Sequence, residues 1–426
     1  MEASCFPPMA AFPKAPGFDH TLAFLREGYR FVSRRCDRLG SDGFIARLML
    51  RRVVCLRGAA AAELVYSPER VTRVGAMPIT VVKLLQDFGS VQMLDDGAHR
   101  ARKALFMRIG SVAESRRMAG IMAEEWSAYF RASASGDVVL LEAAATILTR
   151  AALRWVGIDP DNENAGRRCR ELTAMFETPA MIGPRHWRAQ ILRRRAERWA
   201  QRVVRRARAD GFERGDGLLD AIVSHRNSGG ELLAPDVAAI ELLNVLRPTV
   251  AASRFIVFAA MALHEHPDWR QRFAAGDDSQ LNAFVTEVRR LAPFFPVIGA
   301  RARMAFDWRG HAFAAGDWMV LDLYGTNRDR RLWPDADAFR PERFATKAPG
   351  LYEFVPQGAG VTEETHRCPG ESIVTEIMMA AVRLLTRGMS YRLPEQDLSI
   401  DLARIPARPA SGFRIGEACM KLDLPR

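Results

Sequence analysis

A chain of 426 residues can bury one large core or two to three ordinary ones, so a short peptide, a small disulfide scaffold and a lone recognition module are excluded. It is 48% hydrophobic and 26% charged, which is typical of a globular protein and not of a disordered one. No apolar run approaches the roughly 20 residues that cross a bilayer. The N-terminal segment lacks the pattern of a secretory signal, so we expect no transmembrane segment and a cytoplasmic location.

The formal net charge of +11 raises the possibility of a nucleic-acid partner, because a basic surface attracts phosphate. Only five of the 61 basic residues are lysine, and the arginines occur in every region. The densest cluster, at 188–208, has apolar residues at helical spacing, which favours a solvated helix face. We therefore expect no nucleic-acid partner, although a non-enzymatic basic binding protein remains an alternative. The six cysteines form no C-x-x-C pair, which argues against a disulfide framework and a zinc site.

The predicted elements of the first half are mostly helices. A proline-rich arm is followed by short strands within 44–56 and by an alanine-rich helix over 59–66. Nearly all of 97–225 is predicted to be helical, with turns at 157–164 and 183–184.

The second half contains one long predicted helix. It begins at Pro235, runs to His266 and is ended by Pro267. A helix over 281–291 follows, then a small sheet within 302–325. A last helix is predicted over 369–387. Its expected left-handed cap is Gly388.

No internal repeat and no linker interrupts these elements. Residues 1–426 are therefore predicted to form a single domain that is mainly α with small β-sheets.

Cys368 lies between a Gly-rich loop and the predicted last helix. Unpaired backbone N–H groups at a helix N-terminus stabilise a thiolate, which is the form that binds a metal or attacks carbon. A single cysteine before a helix is more often a small buried hydrophobic residue, and the residue alone favours that interpretation.

The segments around Cys368 change this interpretation. Glu287 and Arg290 lie three residues apart on one helix face, which by itself predicts only a surface ion pair. The order E-x-x-R, small sheet, F-R-P-E-R-F at 339–344, Gly-rich loop, H-R-C-P-G at 366–370 and a helix is specific in combination. This order resembles the cytochrome P450 family, and the resemblance covers essentially the whole chain.

The resemblance implies a cytochrome P450 fold in which heme b lies between the long central helix and the helix after Cys368, with the Cys368 thiolate as the iron ligand. His366 matches a contact to a heme propionate. His99 and Lys103 match the family's second propionate anchor, with Arg102 as a rival donor, whereas without the family His99 is a surface histidine. The family's buried structural ion network is matched by Glu287, Arg290 and Arg343.

The middle of the long helix departs from an ordinary oxygen-activating member of the family. The usual acid before a threonine is absent from the segment N-V-L-R-P-T-V-A at 244–251. Pro248 removes one backbone N–H group and clashes with the preceding turn, so we expect the helix to open or bend beside Arg247. Helical spacing alone places Arg247 in a polar stripe that faces water. The other members of that stripe are Glu241, Asn244 and Arg254.

The segments E-L-L-N-V-L-R-P-T, H-E-H-P, F-R-P-E-R-F and P-Q-G-A-G resemble the bacterial fatty-acid peroxygenases and their decarboxylase relatives, a subgroup marked by Arg-Pro in this helix. The resemblance implies that Arg247, next to Pro248, binds the carboxylate of a free fatty acid above the heme. That carboxylate then replaces the missing acid as general acid–base. We expect hydrogen peroxide as the oxidant and no obligate redox partner.

Gln92 completes the predicted catalytic set. It matches a position where relatives that mainly hydroxylate have Gln and a strongly decarboxylating relative has His; alone, Gln92 is an ordinary polar loop residue. Because the glutamine amide does not titrate, we predict hydroxylation at the alpha and/or beta carbon. The alternatives are a decarboxylase that forms terminal alkenes and a reductase-dependent monooxygenase that acts on another carboxylic acid.

Overall fold

The computed structural model describes residues 11–132, 136–211 and 217–421. Most of these residues lie in helices, and the rest form small sheets and connecting loops, as the sequence predicts. The helices, in chain order, are α1 (Thr21–Glu27), α2 (Phe31–Leu39), α3 (Ala59–Val65), α4 (Ile79–Leu85), α5 (Asp96–Ile109), α6 (Val112–Ala132), α7 (Leu140–Val156), α8 (Ala165–Glu177), α9 (Pro184–Ala209), α10 (Leu218–Val223), α11 (Pro235–Ala251), α12 (Ser253–Glu265), α13 (Pro267–Ala274), α14 (Leu281–Leu291), α15 (Leu323–Thr326), α16 (Glu342–Thr346) and α17 (Glu371–Arg383).

The strands form three sheets within the described ranges. In chain order they are β1 (Gly43–Leu48), β2 (Arg51–Leu56), β3 (Val71–Thr72), β4 (Val138–Val139), β5 (Val297–Ala302), β6 (Phe306–Trp308), β7 (His311–Phe313), β8 (Trp318–Asp322), β9 (Met389–Arg392) and β10 (Arg414–Met420). A five-stranded sheet has the order β1-β2-β8-β5-β3, a three-stranded sheet has the order β4-β10-β9, and β6 pairs with β7. In the larger sheet β2 and β8 are parallel, and the other pairs are antiparallel.

The sequence prediction placed the start of the second-half sheet too late. Strand β5 begins at Val297, five residues before the predicted start. Gly299 lies inside it, and a Cβ atom there would stand 2.3 Å from the carbonyl oxygen of Ala76. The glycine, which weakens a strand pattern in the sequence, is therefore required by the close approach of another backbone segment.

The main core is helical and is centred on α11 and α12. In this core α6 packs against both α7 and α17, and large side chains such as Trp126, Trp155 and Phe255 are almost fully buried. The prediction that no apolar run is long enough for a bilayer needs correction, since Pro235–Glu265 contains a window with a mean hydropathy of 1.4. Of that window, 94% is buried within the protein, so its composition is explained by the core.

The long central helix is interrupted one turn later than predicted. Pro248 lies inside α11, and the interruption falls at Ala252 instead of beside Arg247. The Ala252 N–H group donates to the carbonyl oxygens of Pro248 and Thr249, each at 3.2 Å. The helical path is thus maintained through the proline, and the irregular turn lies on its C-terminal side.

The end of the last helix also differs from the prediction. The α-helical part, α17, begins at Glu371 and ends at Arg383, and residues 384–388 form a π-helical turn that leads into β9. Gly388 is not among the described glycines with positive φ, so its predicted role as a left-handed cap is wrong. The widened turn is held by Arg387, which donates to Asp278 at 2.8 and 2.9 Å.

Two cysteines are enclosed where α2 packs on the five-stranded sheet. Cys36 and Cys55 are 1% and 0% exposed. Burial raises the pKa of the Cys36 thiol to about 12, and it raises that of Cys55 further. Both are therefore protonated thiols at neutral pH. Cys5 lies outside the described residues.

Candidate active site

A cavity lies between α11, the loop before α17 and the segment that follows α4. Its volume is about 310 Å³. Much of the wall is apolar, with side chains such as Phe176, Phe255 and Ile298. The structure brings most of the sequence-predicted site residues to this wall. They are Gln92, His99, Lys103, Arg247, Pro248, His366 and Cys368.

Cys368 stands three residues before the first residue of α17. Its backbone N–H group donates to the carbonyl oxygen of Gln357 at 2.9 Å, which fixes the loop. Burial raises the pKa of the Cys368 thiol, and a backbone hydrogen bond from Gly370 opposes that effect. A metal cation bound at the sulfur would further favour the thiolate, so this cysteine is suited to metal ligation.

The Gly-rich loop passes very close to this cysteine segment. Gly358 has a φ of 109°, and a Cβ atom there would stand 2.9 Å from the Cα atom of Arg367 and 3.0 Å from the hydroxyl oxygen of Tyr66. Only glycine fits both the backbone conformation and the space. The glycines of this motif are therefore needed for the chain to fold back under the cavity.

A cluster of charged side chains holds the segment 357–368, here called the cysteine loop, to the start of α17. Glu371 accepts hydrogen bonds from Arg367 at 2.9 and 3.0 Å, and it forms an ion pair with Arg289 at 3.3 Å. Burial raises the pKa of Glu371, but the two arginines outweigh it and lower the pKa overall. Sequence reasoning missed the pairing of Arg289 with Glu371, because these two residues are far apart in the sequence.

His99 and His366 face each other at the cavity wall. Their ring centroids are 4.2 Å apart, and the His99 Nε2 atom is buried without a hydrogen-bond partner. Burial lowers the pKa of His99 to about 4 and lowers that of His366 well below its ordinary value, so both rings are neutral at pH 7. The expectation of a surface histidine at position 99, drawn without the family, is wrong.

Lys103 is directed to the backbone of the cysteine loop. Its Nζ atom donates to the carbonyl oxygens of Thr365 at 2.7 Å and Arg367 at 2.5 Å. Arg102, the rival donor, points elsewhere and pairs with Glu241 at 2.6 Å. The structure thus separates the two candidates, and of the pair only Lys103 lines the cavity.

Arg247 is buried, with 6% exposure, and its guanidinium contacts no carboxylate among the described residues. The Nη1 atom is enclosed and has no hydrogen-bond partner there. Burial, aided by the nearby charge of Arg193, lowers the pKa of Arg247 to about 9. It is still a cation at pH 7, so the cavity contains a positive charge that no carboxylate contacts within residues 11–132, 136–211 and 217–421.

The polar stripe along α11 and the start of α12 is buried, which overturns its interpretation as a solvent-facing surface. Glu241 is fully enclosed and accepts hydrogen bonds from Arg102, from the Val91 N–H group at 2.8 Å and from Asn244 Nδ2 at 2.9 Å. Asn244 Nδ2 also lies 3.4 Å from Gln92 Oε1. Glu241 therefore fixes the turn that carries Gln92, a link that helical spacing does not reveal.

The predicted ion network lies outside the cavity. Glu287 and Arg290 are fully buried and form two hydrogen bonds of 2.7 Å, and Arg343 Nε lies 3.2 Å from Glu287. Arg290 also donates to the carbonyl oxygens of Asn327 and Ala336 at 2.8 and 2.7 Å. These bonds tie α14 to the loop-rich segment that precedes the cysteine loop.

Comparison with known proteins agrees with this geometry. The family model described as Cytochrome P450 matches residues 279–398. A structure of cytochrome P450SP alpha (CYP152B1) is 42% identical, with a TM-score of 0.91, and the match covers 95% of this chain and all of that one. The chain belongs to the cytochrome P450 family. The predicted P450 fold and the predicted resemblance to the fatty-acid peroxygenase subgroup are confirmed.

Other members of the P450 family match over similar lengths. Cytochrome P450EX alpha (CYP152N1), solved with myristic acid, is 36% identical with a TM-score of 0.92 and coverage of 96% and 100%. Cytochrome P450 OleT, solved as a variant with arachidonic acid, is 29% identical with a TM-score of 0.91 and coverage of 97% and 100%. A putative cytochrome P450 137 of Mycobacterium tuberculosis is 24% identical, over 94% of this chain and 87% of that protein.

The family assignment gives heme b with a cysteine thiolate ligand as the cofactor of this P450. The described residues fit such a group. Cys368 places its sulfur at the cavity wall, and the unpartnered Nε2 atom of His99 provides a polar contact at the same wall. Arg73 is a further buried cation near His366 that sequence reasoning missed, and it is held by the carbonyl oxygens of Gly299 and Val65 at 2.5 and 3.0 Å.

Proposed function

We propose that this P450 is a hydrogen peroxide-dependent peroxygenase that hydroxylates long-chain fatty acids at the alpha and/or beta carbon. The observation that carries the proposal is the Arg247 guanidinium, which is buried in a largely apolar cavity without a carboxylate partner among the described residues. An uncompensated buried charge is costly, and an anionic ligand with an apolar body would offset that cost. A fatty acid has both parts.

The relatives support this substrate class. The solved complexes of cytochrome P450EX alpha and OleT contain myristic acid and arachidonic acid, and cytochrome P450SP alpha was solved with (R)-ibuprophen. All three ligands are carboxylic acids with an apolar body. In this chain the carboxylate would bind to Arg247 and the hydrocarbon would lie along side chains such as Phe176 and Phe255.

The substrate carboxylate also supplies the acid–base group. Among the described residues that line the cavity there is no aspartate or glutamate. Glu241 is not a substitute, because its oxygens are held by Arg102, Val91 and Asn244. Bound to Arg247, the fatty-acid carboxylate can take a proton from hydrogen peroxide and return it during cleavage of the O–O bond. Thiolate-ligated heme b, held by Cys368, would supply the oxidising chemistry.

The position of the anchor restricts the site of oxidation. A carboxylate fixed at Arg247 leaves the adjacent carbon atoms nearest to the reacting centre. Gln92 is linked to the helix that carries this anchor, because its Oε1 atom lies 3.4 Å from Asn244 Nδ2. The amide of Gln92 does not titrate. These features support hydroxylation over decarboxylation. An intracellular location and independence from a redox partner belong to the same proposal.

The proposal is tested with Arg247→Ala. This variant should lose turnover of long-chain acids with hydrogen peroxide by about a hundredfold or more, because the anchor and the acid–base group disappear together. The heme absorbance should be unchanged, since Arg247 contacts neither Cys368 nor the cysteine loop. Products are identified by mass spectrometry across a series of chain lengths.

Arg247→Lys serves as the matched control, since it keeps the charge but not the two-pronged geometry. It should retain part of the activity. Full activity of Arg247→Ala, or a wild-type enzyme that works with a ferredoxin and reductase but not with peroxide, would refute the peroxygenase assignment.

A further inference from the structure

A surface on α9 combines exposed apolar side chains with a row of exposed arginines. Trp187 and Ile191 are 66% and 50% exposed and lie four residues apart on one helix face. Ile182, just before the helix, is 84% exposed. Ile79 on α4 is 58% exposed, and it adjoins the others because Gln190 Nε2 donates to the neighbouring Thr80 carbonyl at 3.2 Å. We call Ile79, Ile182, Trp187 and Ile191 the α9 apolar patch.

The same face of α9 continues as a row of arginines. Arg194, Arg198 and Arg202 follow Ile191 at helical spacing and are exposed. In the part of the chain that the structure describes, none of these three lies within 4.0 Å of a carboxylate. Arg206, by contrast, pairs with Glu163 at 3.3 Å. This face of α9 is therefore apolar near the start of the helix and positively charged further along it.

This surface adjoins the wall of the cavity. Val81, Leu85 and Gln86, from α4 and its end, line the cavity, while Ile79 on the same helix belongs to the α9 apolar patch. Helix α8, which precedes the patch, contributes Phe176 to the cavity. An apolar molecule bound at the patch would thus lie next to the elements that enclose the proposed fatty-acid site.

We propose that α9 docks this P450 on an anionic phospholipid surface, with the α9 apolar patch at the level of the acyl chains and the arginine row on the headgroups. Apolar side chains beside arginines on one helix face suit such an interface, where both the hydrophobic and the electrostatic contributions favour binding. A nucleic acid would attract the arginines but leave Trp187 and Ile191 without a role. The docking itself is argued from the surface of α9 alone. Only its purpose, which is delivery of a fatty acid to the cavity, rests on the proposed function.

The test is co-sedimentation of the purified heme protein with two kinds of vesicle, in the absence of substrate and peroxide. One kind contains phosphatidylcholine alone, and the other contains phosphatidylglycerol and phosphatidylcholine in equal parts. We expect binding to the anionic vesicles. The double variant of Trp187→Ser and Ile191→Ser should weaken it about tenfold, and Arg194→Gln with Arg198→Gln should weaken it by a similar factor.

Matched controls remove the same groups elsewhere. Val112→Ser with Leu351→Ser removes two exposed apolar side chains, and Arg116→Gln with Arg330→Gln gives the same net charge as the arginine variant. Both controls should bind as the wild type does.

Three outcomes would overturn the docking proposal. They are wild-type protein that does not sediment with anionic vesicles, a Trp187 and Ile191 variant that binds them normally, and tighter binding to duplex DNA than to the vesicles. Because vesicle binding is measured without turnover, an inactive Arg247→Ala variant that still docks would separate failure of the proposed function from failure of this inference.

Discussion

At the scale of single residues, the surroundings of Arg247 are the least expected from the sequence. Helical spacing grouped it with Glu241, Asn244 and Arg254 as a face toward water, yet all four are buried. Periodicity shows which residues share a face, but not what covers that face. The resemblance to a family indicated the cavity. The structure adds that Glu241 pairs with Arg102 and that Arg247 forms no ion pair with any residue the structure describes.

The lowered pKa of Arg247 predicts how fatty-acid binding depends on pH. Burial shifts it to about 9 in the free protein, so the cation is complete at neutral pH and is lost as the pH rises through that value. The dissociation constant for myristate should be constant at neutral pH. Above about pH 9 it should rise about tenfold per pH unit, as expected for loss of one required proton. Titration of the heme spectrum at each pH measures this.

Arg247→Lys provides the comparison. The pKa of a lysine ammonium group differs from that of a guanidinium, so the dissociation constant of this variant should begin to rise at a different pH. A wild-type dissociation constant that stays flat to about pH 11 would show that a buried partner holds the Arg247 proton.

Gln92 supplies a second prediction at this scale. Gln92→His places a group that titrates near neutral pH beside the carboxylate anchor, so the fraction of terminal alkene among the products should rise. Gas chromatography with mass spectrometry measures the ratio of alkene to hydroxy acid. Gln92→Leu is the control, and it should not increase the alkene fraction. An unchanged ratio in Gln92→His would show that this position does not direct the outcome.

At the scale of elements, most helices and strands were predictable where the pattern is long or the turn residues are specific. Gly157, at the end of α7, and Gly183, at the start of α9, mark two of these turns and have positive φ values of 89° and 98°. The irregular turn at Ala252 and the π turn at 384–388 were not predictable. They depend on how the backbone adjusts after Pro248 and on the pairing of Arg387 with Asp278, which is distant in sequence.

Lys103 links two elements, α5 and the cysteine loop, and this link can be tested. Lys103→Met keeps the aliphatic stem but leaves the carbonyl oxygens of Thr365 and Arg367 without their donor, at a cost of about 1 to 3 kcal/mol. Amide hydrogen exchange over 357–368 should become faster, and heme should dissociate more readily. Mass spectrometry of exchanged peptides checks the first effect.

The control for this experiment is Lys83→Met, which removes an exposed lysine from α4. It should leave exchange of the cysteine loop unchanged. Equal protection of the loop in Lys103→Met and the wild type would mean that the bonds within the loop are sufficient without Lys103.

At the scale of the whole molecule, the sequence predicts one domain, and calorimetry tests that prediction. The helical core and the two smaller cores beside the five-stranded sheet are distinct clusters of side chains. The network of Glu287, Arg290 and Arg343 ties α14 to the loop-rich segment, so we expect the heme protein to unfold in a single transition, together with loss of the heme absorbance. Two separate transitions would divide the chain into domains.

The enclosure of Cys36 and Cys55 has a consequence for an enzyme that consumes peroxide. Sulfur is oxidised as the thiolate, and these two side chains are both protonated and out of reach of solvent. The fold thereby shields them from damage by the very reagent that the proposed reaction uses. Among the cysteines that the structure describes, oxidation by peroxide should begin instead at Cys419, which is exposed on β10.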